Sequence, residues 1–79
     1  MMQTERLVTM ANDIATFFAA EPDRTAAVEA TANHLRRFWA PRMRREIVAH
    51  HKAGGAGLGE IAREAVGRLA DPKGGGGGV

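Results

Sequence analysis

Seventy-nine residues with no cysteine, and with 11 lysines and arginines against 9 aspartates and glutamates, describe one small domain. This composition excludes a disulfide framework and a thiolate metal site as supports, and no run of about 18 apolar residues or basic-then-apolar leader marks a membrane span or a secretory signal. A core of this size rarely supplies more than about 3–5 kcal/mol alone, so a partner is the expected further support, and the cytoplasm is the expected compartment.

Apolar side chains recur at Leu7, Met10, Ala11, Ile14, Phe17 and Phe18, the spacing of a helix with one buried stripe, and a first helix is expected over about 5–20. Thr4 is its expected N-cap, with Glu5 in the first turn where a negative charge suits the helix dipole. Pro22 ends it and Asp23 caps the next. The early turns of the second helix are rich in alanine (Ala26, Ala27, Ala30, Ala32) and are expected to pack closely on the first, while Leu35, Phe38 and Trp39 form a bulky end. Ala40 precedes proline, which stops this helix near Trp39, and Pro41 suits the first position of a third.

The third helix, about 41–53, has a narrow apolar stripe of Met43, Ile47 and Val48 among basic residues, and Gly54 and Gly55 end it. A fourth, about 59–70, places Leu58, Ile61, Ala62, Ala65, Val66 and Leu69 on one stripe. Asp71-Pro72 closes the pattern, and Lys73, five glycines and Val79 read as a disordered tail. The expected fold is all-α: a small bundle of three to four short helices over residues 1–72, with a disordered Gly-rich C-terminal tail over 73–79.

Charge is distributed unevenly along this bundle. Residues 1–30 hold Glu5, Asp13, Glu21, Asp23 and Glu29 against Arg6 and Arg24, whereas residues 34–52 hold six bases against Glu46 alone. Such a split points to an acidic partner, nucleic acid or anionic lipid, with protein the default for so small a module.

No catalytic, cofactor-binding or metal-ligating set is visible. His34, His50 and His51 lack a His-Glu-x-x-His arrangement; the structural alternative makes His34 a partly buried residue bonded to a helix carbonyl and the other two partners of a helix C-terminus. The glycines from Gly54 to Gly59 follow a helix instead of a strand and lack a Gly-Lys-Ser/Thr ending, so a flexible turn is favoured over a phosphate loop.

The densest segment runs from His34 to Arg45, with five arginines, Phe38, Trp39 and Pro41. Arginine forks onto carboxylates and phosphates and stacks on rings. Three readings stand: an interface anchor, a core aromatic pair under a solvated basic face, or a nucleic-acid surface on which bases stack. Phe38 and Trp39 are adjacent and point about 100° apart on a helix, so one of them is expected to face outward. The expected contact set is Arg36, Phe38, Trp39, Pro41, Arg42, Met43 and Arg45, with Trp39 and Met43 filling pockets of the partner.

The stretches Leu-Val-Thr-Met-Ala-Asn-Asp-Ile-Ala-Thr-Phe-Phe (7–18), Pro22-Asp23, His-Leu-Arg-Arg-Phe-Trp-Ala-Pro-Arg-Met-Arg-Arg (34–45) and Gly-Gly-Ala-Gly-Leu (54–58) resemble the delta subunit of NAD-dependent formate dehydrogenase. The resemblance covers roughly residues 4–69, and the chain departs from it at Glu60 and in the glycine tail. It implies a noncatalytic subunit of a soluble molybdenum- or tungsten-dependent oxidoreductase complex, which converts formate and NAD to carbon dioxide and NADH. The implied role is assembly, stability or cofactor insertion by docking on a larger subunit. The alpha subunit is the first partner expected, then beta and gamma, with a homodimer open to the isolated chain.

The pterin metal cofactor, iron–sulfur clusters, FMN and NAD are implied for those other subunits and none for this chain. The alternative from the residues alone is a small basic helical nucleic-acid-binding protein.

Overall fold

A computed structural model describes residues 3–70, which form four helices and no strand: α1 (Gln3–Phe18), α2 (Arg24–Phe38), α3 (Pro41–Lys52) and α4 (Glu60–Ala70). The expected closure at Asp71-Pro72 and the tail over 73–79 lie outside the described residues.

Local chemistry sets the helix ends. The Asp23 carboxylate accepts from the backbone amides of Thr25 (3.0 Å) and Ala26 (3.5 Å), satisfying donors that have no partner within α2. Trp39 and Ala40 are both extended, and Pro41 opens α3, so the chain turns a corner within two residues. α3 closes in a Schellman arrangement: the Gly54 amide donates to the His51 carbonyl and the Gly55 amide to that of His50, at 3.1 and 2.9 Å. Gly54 and Gly55 have φ of 122° and 64°, where a side chain brings strain.

Two core clusters meet at Ile61, which packs against both. The larger joins Leu7 and Ala11 of α1, Leu35 and Trp39 at the end of α2, Ile47 of α3, and Leu58, Ala62 and Val66. The smaller joins Val28 and Ala32 of α2 to Ala65 of α4. The alanine-rich half of α2 thus lies mainly on α4, where the first helix was expected. Ion pairs follow the same seam: Arg24 reaches Glu60 and Glu64 at 3.1 and 3.0 Å, and Arg68 reaches Glu29 at 3.2 Å. The Glu64 and Glu60 carboxylates hold the Arg24 guanidinium above its usual pKa. The buried Thr31 hydroxyl donates to the Ala27 carbonyl one turn back, so no polar group is stranded there.

α1 departs from expectation in two ways. Thr4 is no N-cap: it lies inside the helix, and its hydroxyl donates to the Glu46 carboxylate at 2.6 Å, tying α1 to α3. The buried face is also rotated. Leu7, Val8, Ala11 and Ala15 face the core, while Met10 and Phe17 lie outside it. The small side chains of Ala11 and Ala15 thus face the other helices, and the larger Met10 and Phe17 fall on the outer side of α1.

The loop between α3 and α4 is held on every side. Arg63 donates to the carbonyls of Gly54 and Gly55, and the His50 ring nitrogen lies 2.8 Å from the Ala56 carbonyl. The Asn12 amide donates to the Gly57 carbonyl, and its oxygen accepts from the Gly59 amide. The expected flexible turn is a pinned one, because each carbonyl that glycine exposes finds a donor from a neighbouring helix.

Candidate functional site at the α2–α3 corner

The corner sorts its side chains onto three surfaces. Trp39 is 5 % exposed and belongs to the core with Leu35 and Ile47, whereas Phe38, one residue earlier, is 70 % exposed. The expectation that one of the pair faces outward is met by Phe38. Trp39 as an anchor in a partner's pocket is corrected, because the chain's own core already encloses the indole. Met43 is half-buried against the same core, so it too is largely used internally.

Outside, four rings form a ladder across two helices. Phe17 and Phe18 meet edge to face at 5.1 Å, Phe18 meets His34 at 6.2 Å, and His34 meets Phe38 at 4.7 Å. Such offset and edge contacts are the favoured geometry for rings. The ladder begins at Phe17, 75 % exposed, and ends at Phe38. A hollow of about 250 Å³ opens beside it, lined by Asp13, Ile14, Phe17, Phe18 and His34. His34 was expected to bond a helix carbonyl and instead sits between two phenylalanine rings.

The third surface is a groove of about 750 Å³ between α3, the end of α2 and the last turn of α4. Arg36, Arg44, Arg45 and Lys52 give it charge, while Pro41, Val48, Ala49, Leu69 and Ala70 give it an apolar lining. Arg44 is fixed: its guanidinium donates to the carbonyls of Arg36 and Trp39, both at 2.8 Å, where α2 ends with unpaired acceptors. Arg36 also bonds the Asn33 side chain at 3.0 Å.

Of the residues expected to make the contact, Arg36, Pro41 and Arg45 come together in this groove, Phe38 stands on the ladder, and Arg42 is exposed on α3. Phe17 and Phe18 on the ladder and Val48, Lys52 and Leu69 in the groove lie outside the expected set. The adjacency argument applied to Phe38 and Trp39 holds equally for Phe17 and Phe18, and it would have placed one of that pair outside.

Among the described residues, no group of three or more His, Cys, Asp or Glu side chains comes together as a metal-binding set. Nor is any described helix long and apolar enough to cross a membrane. The Gly59 amide, which a phosphate at the start of α4 would need, is already taken by Asn12.

The sequence model of one family, described as NADH-dependant formate dehydrogenase delta subunit FdsD, matches residues 6–66, more than three quarters of the chain. The chain belongs to the FdsD family. It is thereby a delta subunit of formate dehydrogenase, a protein that associates with the other subunits of that enzyme. Neither a curated protein nor a solved structure matches it. The matched span of this FdsD chain takes in the ladder, the corner and all of α3, and ends at Val66 in α4.

Proposed function

We propose that this delta subunit is noncatalytic and supports assembly, stability or cofactor insertion in a cytoplasmic formate dehydrogenase by docking on its alpha subunit. The observation that carries the reading is the ladder. A chain whose core is mostly alanine, valine and leucine leaves Phe17 and Phe38 outside, joined through Phe18 and His34. Large aromatics beside arginines are the usual anchors of protein interfaces, and an aromatic strip held by its own ring contacts loses little freedom when covered.

The reaction belongs to other subunits in this reading. Molybdenum or tungsten pterin, iron–sulfur clusters, FMN and NAD are bound there, and a chain without cysteine has no thiolate to offer a cluster. What this chain supplies is a rigid corner with an apolar face on one side and a basic groove on the other.

Recovery of the alpha subunit with a tagged Phe17→Ser/Phe38→Ser variant from native lysate tests the reading. Loss of one such anchor typically weakens binding by at least about 2 kcal/mol, roughly thirtyfold, so recovery is expected to collapse while the helical signal of the variant persists. Unchanged recovery and unchanged complex activity would remove the ladder from the contact. The basic groove favours a second reading, nucleic-acid binding, whose signature is retention on duplex DNA falling with salt at a log–log slope near about −0.9 per neutralised phosphate.

A further inference from the structure

The groove differs from the ladder in chemistry and has a pattern of its own. Arg45 and Lys52 stand seven residues apart on α3, which is two turns or about 10.5 Å along the axis. Val48 lies between them on the same face, three residues after Arg45 and four before Lys52, and Leu69 of α4 faces the groove from the other side. The order along the wall is cation, apolar, cation.

Among the described residues, no aspartate or glutamate lines the groove. The ion pairs formed among the described residues lie on the seam between α2 and α4, so Arg45 and Lys52 have no carboxylate partner among those residues. Glu46, the one acid of α3, is held by Thr4 of α1. Arg44 fixes the meeting of α2 and α3 through its two carbonyl bonds, so the wall is formed before anything binds.

These features select among anionic ligands. A small anion would leave most of about 750 Å³ unfilled and would not span cations two turns apart. Single-stranded nucleic acid is held best where its bases stack on aromatic side chains, and among the described residues no aromatic lines the groove. An amphipathic helix meets both demands, because its own seven-residue repeat places two carboxylates two turns apart with apolar side chains between them.

We infer that the groove is the receptor for an acidic amphipathic helix of a partner protein, with carboxylates at i and i+7 on Arg45 and Lys52 and a leucine-class side chain at i+3 or i+4 against Val48 and Leu69. The inference rests on the reading of this chain as a docking subunit and names a second surface for it, distinct from the ladder.

The probe is a fluorescent helical peptide about four turns long, carrying glutamate at i and i+7 and leucine at i+3 and i+4. It is titrated against the full chain by anisotropy. The expected result is binding that weakens as salt rises, and that weakens at least about tenfold when the peptide's glutamates become glutamine or when the chain carries Arg45→Glu/Lys52→Glu. Both basic residues are exposed, and the neutral pair Arg45→Gln/Lys52→Gln, checked by circular dichroism, separates loss of charge from loss of fold.

Equal binding of the glutamate and glutamine peptides, or binding untouched by either double variant, overturns the inference. So does tighter binding of duplex DNA than of the peptide at the same salt, which would make the groove a phosphate surface. A peptide that fails while recovery of the alpha subunit still depends on Phe17 and Phe38 sinks the groove alone. Recovery that ignores Phe17 and Phe38 sinks the ladder as the docking face and leaves the peptide result standing.

Discussion

The seam between α2 and α4 and the ladder between α1 and α2 use apolar residues in opposite ways. The seam is built from Val28, Ala32, Ala65 and Ile61, small or branched side chains that let two helices approach and close over each other. The ladder is built from the large rings, Phe17, Phe18 and Phe38 with His34, and two of its phenylalanines are left mostly in solvent. A chain short of core volume would gain most by burying its phenylalanines, since each removes a large apolar area from water. Phe17 and Phe38 nevertheless stand outside while alanines fill the seam, and in the proposed reading they are the surface offered to another molecule.

Trp39 is the exception among the large aromatics, and replacing it is expected to have the largest effect. It joins α2 and α3 to the main cluster through Leu35 and Ile47. Trp39→Ala is expected to cost about 3–5 kcal/mol, comparable to the whole stability of a domain of this size. Circular dichroism at room temperature should show the helical signal largely lost. A variant that stays folded with a melting midpoint near the parent's would show that the corner does not depend on its indole, and the contrast between inner and outer aromatics would fail.

Much of this arrangement is legible in the residues themselves. Asp23, Pro41 and the Gly54-Gly55 pair mark helix ends through chemistry confined to a few neighbouring residues, and all three act where local rules put them. α1 misled because periodicity weighs every apolar side chain alike. Its apolar set admits two overlapping stripes, and the choice of Val8 and Ala15 over Met10 and Phe17 is made by how closely the other helices approach. That distance is a tertiary quantity.

The same limit governs the candidate site. The dense segment from His34 to Arg45 was conspicuous, yet its division into core, ladder and groove depends on side chains from elsewhere. Phe18 from α1 completes the ladder and Leu69 from α4 completes the groove. The held loop was unreadable for a related reason: Asn12, which bonds both Gly57 and Gly59, lies more than forty residues away in the chain.

Arg44 and Arg45 give a middle-sized test, because neighbouring arginines have unlike roles. Arg44 bonds two carbonyls at the end of α2, whereas Arg45 lines the groove in solvent. Arg44→Ala is expected to destabilise the chain by about 1–3 kcal/mol, since charge-assisted bonds are lost and two acceptors are left to water. Arg45→Ala should stay within about 0.5 kcal/mol of the parent in urea unfolding. Equal costs at the two positions would mean that the corner is held by general charge and not by the two bonds.

The smallest effect on stability, and the sharpest on the meaning of the ladder, is expected from Phe17→Ser alone. Phe17 is 75 % exposed and touches Phe18 edge to face, so the ring contributes an aromatic contact of about 0.5–1.5 kcal/mol at most and little burial. Serine is a somewhat weaker helix former than the best residues but is close to phenylalanine on the same scale, so the backbone term nearly cancels. A urea midpoint close to the parent's is the expected result, together with higher solubility as the largest exposed ring is removed. A loss of several kcal/mol would place Phe17 in the fold's own support. The ladder would then be a third part of the core beside the two clusters, and the contrast between a seam closed on itself and an apolar face held open for a partner would have to be given up.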